Sequence, residues 1–291
     1  MSGVNLPNLL IIGAAKSGTT SLHRYLSLHP DVFMSKQKEL RYFVPAERKG
    51  RLDRGVDWYT AQFPEDAAIR GETSPQYTLF PKIAGVPETI KRTLGRPKLI
   101  YLLRDPVERI LSDYVQIVDE NYHLETFKEM LTGITTTESY WYSRYYLQLS
   151  RYLEVFPRED ILVVINERLS ADPQGVMRTV FEFLGVDPDF WTDEFEQSHN
   201  AYKPGKYIAP WFDGYAPEFL KQQLRDPVLR SRSWRMYRAL HWLSRVGGDL
   251  VEKPLLDEDE DAYLTSLFQE DVTSLRNLLD DPIPEWRHYA S

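Results

Sequence analysis

Apolar residues in the first half of the chain come mostly as short unbroken runs, not as alternating positions. NLLIIG, residues 8–13, is such a run ending in glycine. An uninterrupted apolar run of this length is what a strand covered on both faces requires. Thr19 to Leu28 then places Leu22, Tyr25, Leu26 and His29 at i, i+3, i+4 and i+7, the stripe of a helix with one buried face. His29-Pro30 closes that helix, because the residue before proline is driven out of the α region. VFMS reads as a short extended piece, DWYTAQF as a brief helix ended by Pro64, and AAIRGETSPQY as a strand entering a Ser-Pro turn. Residues 82–94 read as a helix.

Lys98 to Pro106, KLIYLLRDP, is the clearest strand. Asp105 stops it, and Pro106 stands at the first position of a helix carrying Val107, Ile110, Leu111, Tyr114 and Val118 on one face. Tyr145, Leu149, Tyr152 and Phe156 mark a further helix, DILVVINERL a fourth strand, and VMRTVFEFLG a helix with Gly185 just past its end. Strands alternating with helices predict parallel β-α-β units and an α/β fold, its sheet flanked by helices on both faces. No internal repeat or linker divides the chain, so residues 1–291 are read as a single domain. From about 197 to 250 the pattern weakens. SHNAYKPGKYIAPWFDGYAPEF, rich in Pro, Gly and rings, reads as a loop or lid on the acceptor side. Met236, Leu240 and Leu243 give a helical face within an Arg-rich stretch (Arg225, Arg230, Arg232, Arg235, Arg238 and Arg245), read as a packed helix with a basic outer side. DEDEDAYLTSLFQEDVTSLRNLL forms a last amphipathic helix with its acidic turn at the favourable end.

Composition narrows the function classes. The 291 residues, with 42% hydrophobic and 27% charged, are those of a globular protein able to bury a full core. The absence of cysteine removes disulfide frameworks and thiolate metal sites. A net charge of −8 argues against nucleic acid as a partner. No basic segment precedes a long apolar core, and no run reaches the ~18 residues of a membrane span. A cytoplasmic protein without a transmembrane segment is therefore expected.

The candidate chemistry starts at IIGAAKSGTTSL. Gly13 and Gly18 have the spacing of a nucleotide-triphosphate loop, and Thr20 occupies its closing hydroxyl position. The lysine, however, comes early, at Lys16, with Thr19 in its usual place. Strand, turn and helix start converge backbone amides on one anion, with Gly18 and the hydroxyls of Thr19 and Thr20 beside it. A donor needing no metal fits a displaced lysine: a sulfuryl group on a phosphate carries less charge than a γ-phosphate, and one lysine with the amides stabilises the departing phosphate. Arg104, at a strand's carboxyl end beside a helix start, is a sensible ligand position in any doubly wound sheet.

IIGAAKSGTTSL resembles the 5′-phosphosulfate loop of sulfotransferases that use 3′-phosphoadenosine 5′-phosphosulfate (PAPS). YLLRDPVERILSDY is similar to their second signature. The resemblance implies a P-loop-like fold, PAPS as cosubstrate with PAP as product, and no metal. It implies Lys16, Ser17, Gly18, Thr19 and Thr20 around the 5′-phosphosulfate, and Arg104 with Ser112 on the 3′-phosphate. KELRYF, GVDWY and GETSPQY, in that order, resemble the heparan-sulfate-type branch. There a glutamate in an E-[KT]-[ST]-P turn serves as base, which implies that role for Glu72. Burial at a strand end would raise its pKa toward a useful value. The closing LTSLFQEDVTSLRNLL…PEW is also similar to that branch. The likeness departs at about 197–250, where the branch's Lys-Gly-Arg loop is not evident, so a phosphate contact from Lys203 or Lys206 stays open.

Other sulfotransferases use histidine as base. His123, in ENYHLETF, is the second candidate and His199 the third. His23 and His29 are read as helix-surface residues, and His241 and His288 have no motif around them. The expected reaction is in-line sulfuryl transfer to a hydroxyl of a carbohydrate, a lipid or a secondary metabolite, with a β-hydroxyl on a chain borne by an acyl carrier protein among the options. The alternatives are a P-loop kinase or ATPase-like phosphoryl transferase, and an inactive nucleotide-binding protein.

Overall fold

The computed structural model describes residues 5–64, 67–120, 126–195, 207, 209–225, 234–248 and 250–289. Five strands, β1 (Leu9–Gly13), β2 (Val32–Met34), β3 (Ile69–Thr73), β4 (Lys98–Leu103) and β5 (Ile161–Ile165), form a sheet in the order β2-β3-β1-β4-β5. Every pairing is parallel, with Leu10 opposite Glu72 on one side of β1 and opposite Leu99 on the other. Helices alternate with the strands. They are α1 (Thr19–Leu28), α2 (Gly55–Thr60), α3 (Val86–Leu94), α4 (Pro106–Glu120), α5 (Phe127–Thr132), α6 (Glu138–Ser143), α7 (Tyr145–Leu153), α8 (Asn166–Ala171) and α9 (Pro173–Leu184).

The apolar runs have the cause expected of them. Leu9, Ile11, Ile100 and Leu102 enter one core with Leu22, Tyr25 and Leu26 of α1 and Met177, Val180 and Phe181 of α9. Alternate residues turn to the opposite face. There Tyr101 meets Tyr145 of α7 edge-on, ring centroids 6.1 Å apart. With both faces covered, β1 has no solvent side and no polar alternation. The chain leaves β1 toward β2 and β3 on one flank and later continues to β4 and β5 on the other. Such a reversal of strand order opens a crevice at the strands' carboxyl ends.

The described chain falls into two compact units, one of 1–109, 137–201 and 258–291, the other of 110–136 and 202–257. The first holds the sheet and a long closing helix. The boundary lies inside α4. In the second unit, α10 (Pro210–Tyr215), α11 (Glu218–Arg225) and α12 (Trp234–Leu243) contribute Phe212, Leu224 and Leu240 to a small core of their own. The stretch expected to be a loop thus holds helix over Pro210–Tyr215 and again from Glu218. Pro210 stands in the first turn of α10 and the Pro217 carbonyl accepts from Leu220 N, so these prolines start helices instead of marking a loop. The apolar face read through Leu240 belongs to α12, as expected. The last helix, α13 (Glu258–Leu279), is anchored by Asp271. Its carboxylate accepts from Tyr146 N at 2.9 Å and Leu147 N at 3.1 Å, capping the start of α7.

Among the described residues no helix is long and apolar enough to cross a membrane. His123, His199, Lys203 and Lys206 lie outside the described residues. The surface reading of two histidines is corrected. His29 is buried, its ring between the Asp187 carbonyl and Asp31 N, because it lies past the last turn of α1 where α9 packs. His23 is half-buried against β3.

Candidate active site

The turn after β1 carries the loop residues into α1. Lys16 has φ +66° and Gly18 φ +89°, both in the left-handed region. Gly18 is the N-cap of α1 and no side chain caps that helix, so its positive end and first amides face outward from the loop. A side chain at 18 is doubly disfavoured: a Cβ there would sit 2.2 Å from Asn166 Oδ1 at the start of α8. At Gly13 a Cβ would meet Thr78 Oγ1 at 2.1 Å, so β1 and the turn following β3 approach closely only with glycine. Thr19 is buried and Thr20 exposed.

Ser17 tests whether an anion fits. Its hydroxyl is fully buried and makes no hydrogen bond of good geometry among the described residues. It lies beside the Tyr145 hydroxyl, which donates to the Arg104 carbonyl at 2.8 Å. A buried hydroxyl without a partner costs about 1–3 kcal/mol, which an anionic oxygen in the loop would recover. Behind the loop stands Arg109, fully buried and not singled out from sequence. It donates to Ser143 Oγ at 2.7 Å, Ser139 O at 2.5 Å and the loop carbonyl Ala15 O at 3.4 Å. A guanidinium in that place braces the turn and adds positive potential under it. It lies within RDPVER, next to Ile110 on the apolar face of α4, and nothing in the local pattern distinguishes it from a solvated helix charge.

Arg104 follows β4 directly and is a quarter exposed. Its Nη2 meets Glu108 Oε2 at 3.3 Å. Asp105 is a cap and not an open carboxylate. Oδ1 accepts from Val107 N and Glu108 N, and Oδ2 from His288 Nδ1 at 2.8 Å and His288 N at 3.3 Å. With both oxygens taken by N–H donors, Asp105 does not fit as a ligand for a nucleotide-bound cation. Ser112 is half-buried on α4, in the part belonging to the second unit.

Three separately read motifs meet at Glu72. The carboxylate is completely buried at the end of β3. Tyr59 of GVDWY and Tyr77 of GETSPQY each donate to Oε1 at 2.6 Å, and Ser74 donates to Oε2 at 2.8 Å. Ser74 Oγ in turn accepts from Arg41 N of KELRYF at 2.9 Å, and Glu39 N donates to Thr73 O at 2.8 Å. Burial pushes the Glu72 pKa up. The three hydroxyls and the charge of Arg51 pull the other way without cancelling it.

Next to Glu72, His23 Nδ1 lies 2.9 Å from Thr73 Oγ1. Burial first, then Lys38, lower its pKa to about 4, against a bond to the Ser35 backbone. His23 is therefore neutral at neutral pH. It was missed because periodicity on α1 says which face it is on, not that β3 ends there. Beyond lies a cavity of about 290 Å³ lined by Gln37, Lys38, Glu39, Arg41, Lys49 and Arg51. Four cations face one carboxylate there. Glu39, Arg41 and Lys49 hold left-handed φ values of 61°, 52° and 60°.

Lys16, Ser17, Gly18, Thr19, Thr20, Glu72 and Arg104 are thus gathered at the carboxyl ends of β1, β3 and β4 in one unit. Residues 6–202 match the sulfotransferase domain model. The chain belongs to the sulfotransferase family. Its α/β fold is the parallel five-stranded sheet described above. The chain is 33% identical over 190 residues to heparan sulfate glucosamine 3-O-sulfotransferase 3B1 of Homo sapiens, covering 62% of this chain and 46% of that protein. To heparan sulfate glucosamine 3-O-sulfotransferase 6 of Mus musculus it is 32% identical over 188 residues, 62% of this chain and 52% of that one. The chain spans about half the length of the curated relatives it matches. A crystal structure of a sulfotransferase from Alicyclobacillus acidocaldarius superimposes with a TM-score of 0.66 at 26% identity, covering 97% of this chain and 98% of that chain.

Proposed function

We propose that this sulfotransferase moves a sulfuryl group from PAPS to an acceptor hydroxyl by in-line displacement, with Glu72 as base. The observation that carries the reading is the loop itself: Lys16 in a left-handed turn, an uncapped helix start at Gly18, and a buried Ser17 hydroxyl awaiting an acceptor. Bound there, PAPS supplies the sulfuryl group, and the electron pair of the broken S–O bond stays on the phosphate that leaves as PAP. Lys16 and the amides of Ser17 to Thr20 hold the negative charge on that phosphate oxygen. Arg104 and Ser112 hold the 3′-phosphate. Glu72 takes the acceptor proton, and burial supports this by raising its proton affinity. Because the carboxylate is caged, that proton arrives through a caging hydroxyl or after one is displaced. His123 is the second candidate base.

The acceptor reading is an anionic glycan or another acidic hydroxyl compound. Four cations around the 290 Å³ cavity beside the Glu72 turn support it, as do the names of the curated relatives. A neutral polyketide chain by itself does not call for that charge, whereas the acidic surface of a carrier protein would complement it. The phosphoryl-transfer alternative is disfavoured by the occupied Asp105 carboxylate and by the family.

The test is a thermal-shift comparison of PAP, adenosine 5′-phosphosulfate and ATP, with and without Mg²⁺. Ligand at 100 times its dissociation constant adds about 2.7 kcal/mol. Strong stabilisation by metal-free PAP is expected. Stabilisation by ATP with Mg²⁺ alone would overturn the reading.

A further inference from the structure

We infer that Tyr145 is a positioning residue for the 3′-phosphate: its buried hydroxyl pins the peptide that follows Arg104, and so aims the Arg104 guanidinium before the nucleotide arrives. The inference rests on the reading above that Arg104 binds the 3′-phosphate.

The parallel ladder of β4 ends at Leu103, opposite Ile165, and Arg104 is the first residue beyond it. Up to Leu103 the backbone is held by its neighbours in the sheet. Beyond that point the Arg104–Asp105 peptide is held on both edges. Its carbonyl accepts from the Tyr145 hydroxyl at 2.8 Å, and its N–H donates to Glu167 Oε1 at 3.0 Å. A peptide unit is planar, so fixing its oxygen and its N–H fixes ψ of Arg104 and φ of Asp105. With the strand before it and a pinned plane after it, the Cα–Cβ direction of Arg104 is set. Direction matters for a guanidinium, because its donors form a rigid planar fork that meets a phosphate well only from one side.

Tyr145 is itself firmly placed. It is fully buried on α7, with its ring edge-on to Tyr101 at 6.1 Å and 5.7 Å from Trp286. Asp271 holds the start of the same helix through Tyr146 N and Leu147 N. Burial pushes the Tyr145 pKa up, so the proton is present throughout the neutral range. The oxygen also lies beside Ser17 of the loop, but its one proton goes to the Arg104 carbonyl and none is left for an anion there. Glu108, Asp105 and Glu167 all stand near Arg104. Tyr145→Phe alters no charge, so their field on a phosphate is the same before and after the substitution.

The experiment measures dissociation constants of PAP and of AMP, which lacks the 3′-phosphate, by calorimetry, with thermal melts to check folding. Tyr145→Phe is expected to weaken PAP about fivefold, the loss that one neutral hydrogen bond no longer ordering Arg104 would bring, and AMP less than twofold. Tyr145→4-aminophenylalanine keeps a donor at that place and should stay within about twofold of wild type for both ligands. Arg104→Ala serves as the control for the underlying reading and should lose PAP but not AMP. Placed on Arg104→Ala, Tyr145→Phe should change PAP affinity by less than about twofold, because a residue acting through Arg104 has nothing left to position. A merely structural loss would persist in that background. Unchanged PAP affinity in Tyr145→Phe, equal loss of PAP and AMP, the same loss on top of Arg104→Ala, or 4-aminophenylalanine behaving as Phe each overturns the inference while Arg104→Ala still behaves as expected. Equal loss of PAP and AMP in Arg104→Ala overturns the 3′-phosphate reading, and the inference with it.

Discussion

Tyr59→Phe removes one hydroxyl from the cage around Glu72 and changes almost nothing else in shape. The lost contact is the 2.6 Å bond to Oε1, leaving Tyr77 on the same oxygen and Ser74 on the other. A hydrogen bond to a charged group contributes about 1.5–3 kcal/mol, and one to its protonated form about 0.5–1.5 kcal/mol. The variant should therefore lose ~1–2 kcal/mol more stability when Glu72 is ionised than when it is protonated, equivalent to a rise of about one unit in its pKa. The sign follows from linkage. Burial already lifts the folded Glu72 pKa above its ordinary value, so folding is favoured with the proton on, and stability falls as pH rises through the folded pKa. Tyr59→Phe makes that fall deeper and moves it to higher pH. Urea unfolding at intervals from pH 5 to pH 8 measures it without any acceptor. Glu72→Gln combined with Tyr59→Phe should erase the extra pH dependence. A loss of equal size at every pH, or one surviving in the Glu72→Gln background, would refute the claim that these hydroxyls serve an ionised carboxylate. With an acceptor in hand, the acid limb of the rate profile should move up by the same amount.

Three further outcomes are expected. Lys16→Ala should abolish most sulfuryl transfer while leaving the melting temperature within about 2 °C, since Lys16 sits half-exposed in a turn and not in the core; a collapse of the melt would make its role structural. Gly18→Ala should cost about 1–2 kcal/mol from the left-handed φ of 89° plus a contact with Asn166, and Asn166→Ala should recover only the contact part in a double-variant cycle of unfolding free energies; full recovery would show that the backbone angle costs nothing. His288 faces Asp105, Asp261 and Arg287, and opens on a cavity of about 520 Å³ that Glu258 also lines. Burial opposes its charge, but Asp105 and then Asp261 outweigh burial and Arg287 and raise its pKa. The stability it adds is fully present below about pH 6.5 and is lost as pH rises through the raised value, so His288→Gln should flatten the melting curve between pH 6 and pH 9; an unchanged slope would remove His288 as the source.

What the amino-acid order alone determined is what near neighbours encode. The unbroken run at Leu9–Ile12, the stripe Leu22-Tyr25-Leu26, Pro106 after Asp105 and Gly185 after Leu184 each act within a few residues, through periodicity and backbone preference, and each marked a real strand, helix or boundary. The displaced Lys16 and the Glu72 turn were legible for the same reason: a loop's chemistry is carried by consecutive residues. Short helices started by Pro210 and Pro217 were less legible, because proline opens a helix and a loop with the same signal. The tertiary structure alone decided what each polar group faces. Tyr59 and Tyr77 became the cage of Glu72, Asp271 became the cap of α7, and His23 came to rest against Thr73. Tyr145 reached the Arg104 carbonyl only because α7 packs it against Tyr101 of the sheet. Burial and ion pairing depend on which distant segments share a volume, and no local preference contains that information.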